Sequence, residues 1–237
     1  MRAVIGLSLM FMAGMAQAQA SNCASVAAPQ AMPIRPTVVA PFASEMVLPS
    51  HQLGAPTGVL SQAYDETLAV DQVLETGRSG QPWHQYSLKH GAITHGVQFA
   101  SPERRREAIA YYTPGSGLDV AIAEQRRLRE AEGRPAGLRI GVLGLGVGST
   151  AALSRAGDTV RFYEINPKVI SLAWGEGGYF SYLKDTPARV EVVEGDARIS
   201  LEQELERGQG QAFDVLALDV FSSDSIPLHL LTEEAVA

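Results

Sequence analysis

The feature that most constrains the fold is a regular alternation of apolar runs and helical segments in the second half of the chain. Short apolar runs occur at 138–143, 159–164, 189–195 and 213–219. Helices are predicted between them from Ser149 or Thr150, over 167–174 and through Leu201. Strands that alternate with helices form a parallel sheet with helices on its faces. Together with a helix over 117–132, the pattern therefore predicts an α/β domain over residues 117–237.

A glycine-rich turn follows the first of these strands. Gly144, Gly146 and Gly148 form a G-x-G-x-G sequence, and Ser149 stands where a dinucleotide-binding turn has its last glycine. The spacing therefore argues against NAD, and Ser149 is better interpreted as a helix N-cap. Because glycines also serve tight packing, the turn alone is weak evidence for a ligand site.

Acidic residues follow three successive strands. Glu164 lies 20 residues beyond Gly144, where a carboxylate can accept hydrogen bonds from two ribose hydroxyls. Asp196 and Asp219 follow the next two strands. Since ligands of open α/β sheets bind outside the carboxyl ends of the strands, the three acids predict one nucleoside site. The alternative is structural: Glu164 and Asp219 would cap the helix or turn that follows each of them.

The first half of the chain divides into three parts. Residues 1–20 carry Arg2, an apolar stretch and the small residues AQAQA, which is typical of a cleaved export signal. An apolar membrane anchor is the alternative. Residues 21–57 are rich in Pro and Ala and are predicted to be a linker. Residues 58–116 contain short alternating runs that predict an antiparallel β-hairpin module. We expect an exported (periplasmic) or membrane-associated protein. If residues 1–20 are neither an export signal nor an anchor, we expect a cytoplasmic one.

The charge balance narrows the classes of partner. Nineteen basic against 26 acidic residues give a net charge of −7, which argues against nucleic-acid binding and suits a cationic substrate. The arginines of 104–106 and 126–129 are expected on solvated helix faces. The single cysteine, Cys23, can form no intramolecular disulfide. His84, His90 and His95 alternate irregularly along predicted strands, so we expect no metal site.

Six motifs occur together in the chain: HGVQF, YYTPGSG, GLGVGS, FYEINP, VVEGDAR and LALDVFSSDSIPLHLLTEEA. The set resembles the spermidine synthase superfamily, and most closely its bacterial branch that is often fused to membrane segments. The resemblance runs from about Leu60 to the end. It implies a Rossmann-like S-adenosylmethionine methyltransferase fold preceded by a small β module. Because no residues remain for later strands, we expect an incomplete parallel sheet and a fragment of a longer protein.

The resemblance also implies a reaction and a donor site. The family transfers the aminopropyl group of decarboxylated S-adenosylmethionine to a diamine such as putrescine, with no metal. By resemblance, Glu164 would hold the ribose of the donor. Asp196 and Ala197 would contact the adenine, and Asp219 would face the acceptor amine.

The acceptor end of the site is predicted from the chemistry and from further matches to the family. An amine attacks a carbon beside a sulfonium, so carboxylates such as Asp219 are needed to gather two cations and to deprotonate the amine. Asp224 could pair with the far ammonium of a diamine. Gln98 and one of Tyr111 or Tyr112 match gate and substrate-contact positions, and Tyr112 is the preferred member of the pair.

Departures from the family keep other functions open. Val147 stands in the glycine turn where family members carry an acid that binds the amine of the donor. The alternatives are an S-adenosylmethionine-dependent methyltransferase and a catalytically silent module that binds a polyamine or nucleoside. We expect a small-molecule polyamine as the partner; membrane association through the N-terminus and a homodimer are further expectations.

Overall fold

The computed structural model describes residues 38–39, 56–63, 71–90, 93–220, 227–230 and 232. The predicted export signal, Cys23 and Asp224 lie outside these ranges. The described strands are β1 (Val38–Val39), β2 (Pro56–Ala63), β3 (Asp71–Thr76), β4 (Gln85–His90), β5 (Ile93–Phe99), β6 (Arg139–Leu143), β7 (Thr159–Glu164), β8 (Arg189–Glu194) and β9 (Val215–Leu218). The described α-helices are α1 (Gly117–Ala131), α2 (Pro167–Ala173), α3 (Tyr182–Asp185) and α4 (Ala197–Glu206). Short 3-10 turns occupy Ala110–Tyr112, Ser149–Leu153, Glu176–Gly178 and Leu228–Leu230.

A parallel sheet forms the centre of the molecule, in the order β1-β9-β6-β7-β8. The chain builds β6, β7 and β8 in one direction and then crosses to the other side of β6 to form β9. The order therefore changes direction between β6 and β9, as it does in Rossmann-like folds. Ile140, Val142 and Phe162 are almost completely buried, because a parallel sheet with helices on its faces shields its central strands from water. The predicted α/β architecture is confirmed.

The edge beside β9 is occupied by part of the segment that was predicted to be a linker. Val38 pairs with Leu216 and Val39 with Ala217 in parallel register. β-branched residues suit an extended backbone, and the nearby prolines disfavour a helix. Among the described residues, β9 is thus paired on both sides rather than left as a sheet edge.

The N-terminal module is an antiparallel sheet in the order β2-β3-β4-β5. Three of its strands match the predicted hairpin runs, and β2 is an addition that the sequence analysis missed. Val73 and Leu88 of this sheet pack with Val147, Leu172 and Phe180 in one hydrophobic cluster. The module is therefore joined to the parallel sheet by a shared core.

Two arginines of α1 are bound to the amino-terminal edge of the parallel sheet. Arg126 pairs with Asp158 at 2.5 Å, and Arg129 pairs with Asp214 at 2.6 Å. The arginine side chains are only 15% and 12% exposed, so the prediction of a solvated face was wrong for this pair. The reason is long-range: the two aspartates precede β7 and β9 and also accept backbone N–H groups at the start of β6.

The segment after the glycine turn differs from its prediction. It forms only a 3-10 turn over Ser149–Leu153, and Gly148 occupies the N-cap position with no side-chain hydrogen bond. Ser149 is therefore not the N-cap of a helix. The short connection to β7 includes Gly157, whose positive φ is incompatible with a right-handed helix. In the part of the chain described, no helix combines the length and hydrophobicity required to cross a membrane.

Candidate functional site

The glycine turn lies at the point where the strand order changes, beside the ends of β6 and β9 and against His95 and Gly96 of β5. Gly144, Gly146 and Gly148 all have positive φ, at 95°, 53° and 79°. A Cβ at Gly144 would collide with the carbonyl oxygen of Asp219, and one at Gly146 would collide with that of His95. Glycine is thus required here both for backbone conformation and for close packing.

Glu164 fixes the glycine turn from the end of β7. Its carboxylate accepts hydrogen bonds from the backbone N–H of Leu145, at 3.1 Å, and of Asn166, at 2.9 Å. The N-cap of α2 is Asn166, whose side chain accepts from Lys168 N at 2.9 Å. Asn166 therefore supplies the N-cap side chain, while Glu164 supports the same helix start by accepting the N–H of Asn166. Glu164 retains partial exposure at the carboxyl edge of the sheet.

Asp219 directly follows β9 and lies beside the turn. Its backbone N–H donates to Leu143 O at 2.8 Å, which holds the residue at the end of β6. Burial raises the pKa of its carboxyl to about 7; the Tyr112 hydroxyl acts in the opposite direction, and the negative charge of Glu164 raises the pKa further. Because the residue surface is only partly buried, the group can exchange protons near neutral pH.

The structure distinguishes the two adjacent tyrosines. Tyr111 is half-exposed, and its hydroxyl donates to Thr94 O at 3.2 Å. Tyr112 is buried, and its hydroxyl approaches Asp219. The contact falls outside strict hydrogen-bond geometry, but the hydroxyl lies close enough to stabilise the charged carboxylate. Burial and the Asp219 charge raise the pKa of Tyr112 well above its ordinary value, so the hydroxyl stays neutral.

Asp196 and Ala197 begin α4 at the end of β8. One carboxylate oxygen of Asp196 accepts from Ile199 N at 3.0 Å and caps the helix. The other lies 3.2 Å from His229 Nε2. Ala197 is buried at the first helical position. Asp196 therefore has a structural role, and any ligand at this oxygen would share it with His229.

Gln98 is committed to contacts within the protein. It is 1% exposed. Its amide nitrogen donates to Arg105 O at 2.6 Å and to Ser181 Oγ at 2.9 Å, while its amide oxygen accepts from Ser181 N at 2.7 Å. These bonds join β5 to the segment that precedes α3. Gln98 therefore has a structural role within the core.

The structure shows the environment of two residues, Val147 and Ile165, that the sequence did not predict. Val147 is completely buried, and a Cβ on Gly96 of β5 would collide with it. The side chain at this position therefore points into the shared core. Ile165 is 51% exposed immediately after Glu164 and offers an apolar surface beside a carboxylate. The sequence signal that could have identified Ile165 is its apolar side chain directly after Glu164, the predicted ribose acid.

No group of three or more His, Cys, Asp or Glu side chains in the described ranges is arranged to hold a metal ion. The carboxyl edge of the described sheet instead brings together the backbone of the glycine turn, the carboxylates of Glu164 and Asp219, and the neutral hydroxyl of Tyr112. Such a set can bind a nucleoside through its ribose and can bind a cation.

No protein-family model matches the chain, and the search of curated proteins returns no significant match. Among solved structures, the chain is similar to the crystal structure of spermidine synthase from Thermotoga maritima, with 17% sequence identity and a TM-score of 0.46. The alignment covers 75% of this chain and 50% of that one, so this chain spans about half the length of that protein.

Proposed function

We propose that the protein is an aminopropyltransferase that moves the aminopropyl group of decarboxylated S-adenosylmethionine to a diamine such as putrescine. The observation that carries the proposal is the pairing of Glu164 and Asp219 around the glycine turn, where the strand order changes. One carboxylate is suited to ribose, and the other has a pKa of about 7, which suits a proton acceptor at neutral pH.

The donor would lie along the carboxyl edge from the glycine turn toward α4. The carboxylate of Glu164 accepts hydrogen bonds from the ribose hydroxyls. Ile165 covers one face of the adenine with its exposed side chain. The first N–H groups of an α-helix lack intrahelical partners, so Ala197 N is available for the base edge. The Asp196 oxygen that contacts His229 accepts a second hydrogen bond from the base.

The chemistry requires one amine to be neutral beside a sulfonium. The amine nitrogen attacks the carbon next to sulfur, the carbon–sulfur bond breaks, and its electron pair goes to sulfur to leave neutral methylthioadenosine. Asp219 takes the proton that the amine must lose. Burial is the main reason that the pKa of Asp219 lies near neutrality, and Tyr112 and Glu164 then act on it in opposite directions.

Methyl transfer from intact S-adenosylmethionine is the second candidate, and Val147 favours it. Valine has no carboxylate, and this side chain is buried in the core. The turn therefore offers no negative charge at this position to the amine of an aminopropyl group. A donor that carries its own carboxylate would meet no like charge from residue 147. Glu164 and the glycine turn would serve both donors in the same way.

A turnover assay tests the proposal. The purified chain is incubated with putrescine and either donor, and the products are identified by mass spectrometry. We expect spermidine and methylthioadenosine in equal amounts from the decarboxylated donor. Removing a proton acceptor typically lowers the rate by about 10²–10⁴-fold, so Asp219→Asn should show such a loss while its affinity for methylthioadenosine changes little.

The matched control is Glu206→Gln. Glu206 is exposed and ends α4, away from the carboxyl edge of the sheet, so its replacement should leave turnover within about twofold, since no proton transfer is assigned to it. Methylated putrescine from the intact donor would support the second candidate. Product from neither donor would contradict both.

A further inference from the structure

The middle of β5 packs directly against the glycine turn. A Cβ on Gly146 would collide with the carbonyl oxygen of His95, and a Cβ on Gly96 would collide with the side chain of Val147. Protein interiors packed this closely transmit strain instead of absorbing it. A displacement of β5 at His95 would therefore displace the glycine turn.

The side chain of His95 lies in a buried place that suits only its neutral form. Its Nε2 is buried and has no hydrogen-bond partner among the described residues. The ring packs edge to face against the ring of His90 on β4, with 5.8 Å between the two centroids. A buried charge without a partner is strongly unfavourable, so a proton on His95 is opposed both by burial and by the neighbouring imidazole.

The elements around β5 carry several other titratable groups. β5 contacts β4, the 110–112 and 149–153 turns and the glycine turn, and the Tyr182 hydroxyl of α3 donates to Val97 O at 3.2 Å. Neither the 149–153 turn nor the glycine turn has a titratable side chain. The titratable side chains on the other elements are Tyr86, Lys89, His90, Tyr111, Tyr112, Tyr182, Lys184 and Asp185.

These groups do not compensate for a proton on His95. Asp185, the carboxylate among them, is paired with Arg105 at 2.9 Å, and Asp219 lies on the other side of Tyr112. Burial and, to a lesser degree, His90 lower the pKa of His95, and no carboxylate offsets them. The ring is therefore neutral at neutral pH.

We infer that His95 is an acid-sensitive switch for the glycine turn: a protonated ring leaves its buried place, and β5 then releases the turn that binds the nucleoside. The inference rests on the proposed function, which assigns the turn to a nucleoside. His95 does not touch the ligand in this account. It acts through the backbone contact between β5 and Gly146.

Acid favours the released conformation. A hydrated imidazole has its ordinary pKa of about 6.5, whereas the pKa of the packed ring is lower. The packed conformation is therefore favoured above about pH 6.5 and loses its advantage as the pH falls. The change is up to about tenfold for each pH unit, until the lowered pKa of the packed ring is reached.

A calorimetric titration with methylthioadenosine at about pH 7.5 and about pH 5 tests the switch. His95→Gln keeps a polar side chain that cannot be protonated in this range. Between the two pH values, the affinity of the wild type divided by that of His95→Gln should fall at least about threefold. The ratio removes the titration of Glu164 and Asp219, which both proteins share. An unchanged ratio would overturn the inference.

Two further histidine variants serve as controls. His84 is also buried, but its Nε2 lies 2.7 Å from Glu75 Oε1, and His84→Gln should retain the acid dependence of the wild type. Loss of the dependence in this variant would contradict its assignment to His95. His90→Gln removes the ring that helps to lower the pKa of His95, so its acid dependence should be weaker than that of the wild type. A stronger dependence would contradict the role of the histidine pair.

Hydrogen exchange in the ligand-free protein separates this inference from the proposed function. Protection factors of the β5 amides, corrected for the intrinsic exchange rate at each pH, should fall at least about threefold between about pH 7 and 5.5 in the wild type but not in His95→Gln. That result in a protein that binds no methylthioadenosine would support the switch and contradict the proposed function. Methylthioadenosine binding with equal protection in the two proteins would do the reverse.

Discussion

Replacing Asp219 by asparagine should stabilise the protein at neutral and alkaline pH. Burial raises the pKa of this carboxyl from 3.8 to about 7 in the folded state. The folded protein therefore binds a proton that the unfolded chain releases, and stability falls as the pH rises from about 4 to about 7. The difference between the two pKa values corresponds to about 4 kcal/mol. Because the residue is partly exposed, we expect about 2–4 kcal/mol after screening by solvent.

Urea unfolding of both proteins at two pH values provides the assay. At about pH 8, Asp219→Asn should be more stable than wild type by about 2–4 kcal/mol, because asparagine avoids a buried charge. At about pH 4 or below, the difference should nearly vanish, because a protonated carboxyl and an amide are both neutral. Other titrating groups are common to both proteins and cancel in the comparison.

Asp158→Asn is the control with the opposite sign. Burial acts to raise the pKa of Asp158, but hydrogen bonds from Arg126 and from the backbone of Leu138 and Arg155 outweigh it and lower the pKa. This carboxylate therefore stabilises the fold above its unfolded pKa, and its loss should cost about 3–5 kcal/mol with little change between about pH 5 and 8. A variant Asp219→Asn that is no more stable than wild type at about pH 8 would refute the reasoning.

Further predictions concern the pH profile and the turn. Tyr112→Phe should move the acidic limb of kcat/KM to higher pH, and Glu164→Gln should move it to lower pH, since the first residue lowers and the second raises the pKa of Asp219; shifts in the same direction would contradict this. Val147→Asp should reduce stability by about 4 kcal/mol or more, because it places a charge in the core; a thermal melt checks this, and a stable variant with improved donor binding would contradict it. Gly146→Ala should cost about 2 kcal/mol or more, from positive φ and the collision with backbone; an unchanged midpoint in urea would contradict it.

The carboxyl edge of the sheet could be predicted because its signals are local. An apolar run followed by a glycine turn or an acid fixes where each strand ends. Parallel packing then places Glu164 and Asp219 at one edge, as the structure shows. The contact between Tyr112 and Asp219 joins distant parts of the chain and was not predicted; the family resemblance implied only that each residue would face a substrate.

Other features depend on partners far away in the sequence. The helical spacing places Arg126 on the face of the buried Leu118 and Ile122. Its ion pair with Asp158 nevertheless depends on a residue far along the chain, whereas Arg127 pairs on the surface with the nearby Glu124. The pairing of Val38–Val39 with β9 has no signal within a proline-rich segment. The direction of the Val147 side chain became clear only when β5 was placed against the glycine turn.

The central claim is that Glu164 holds the ribose of a sulfonium nucleoside at the glycine turn. The most direct test is a calorimetric titration of wild type and Glu164→Gln with decarboxylated S-adenosylmethionine. We predict one binding site in the wild type and at least about tenfold weaker binding in the variant, the loss expected when charge-assisted hydrogen bonds to the ribose are removed. No binding by the wild type, or equal affinity in the two proteins, would contradict the claim.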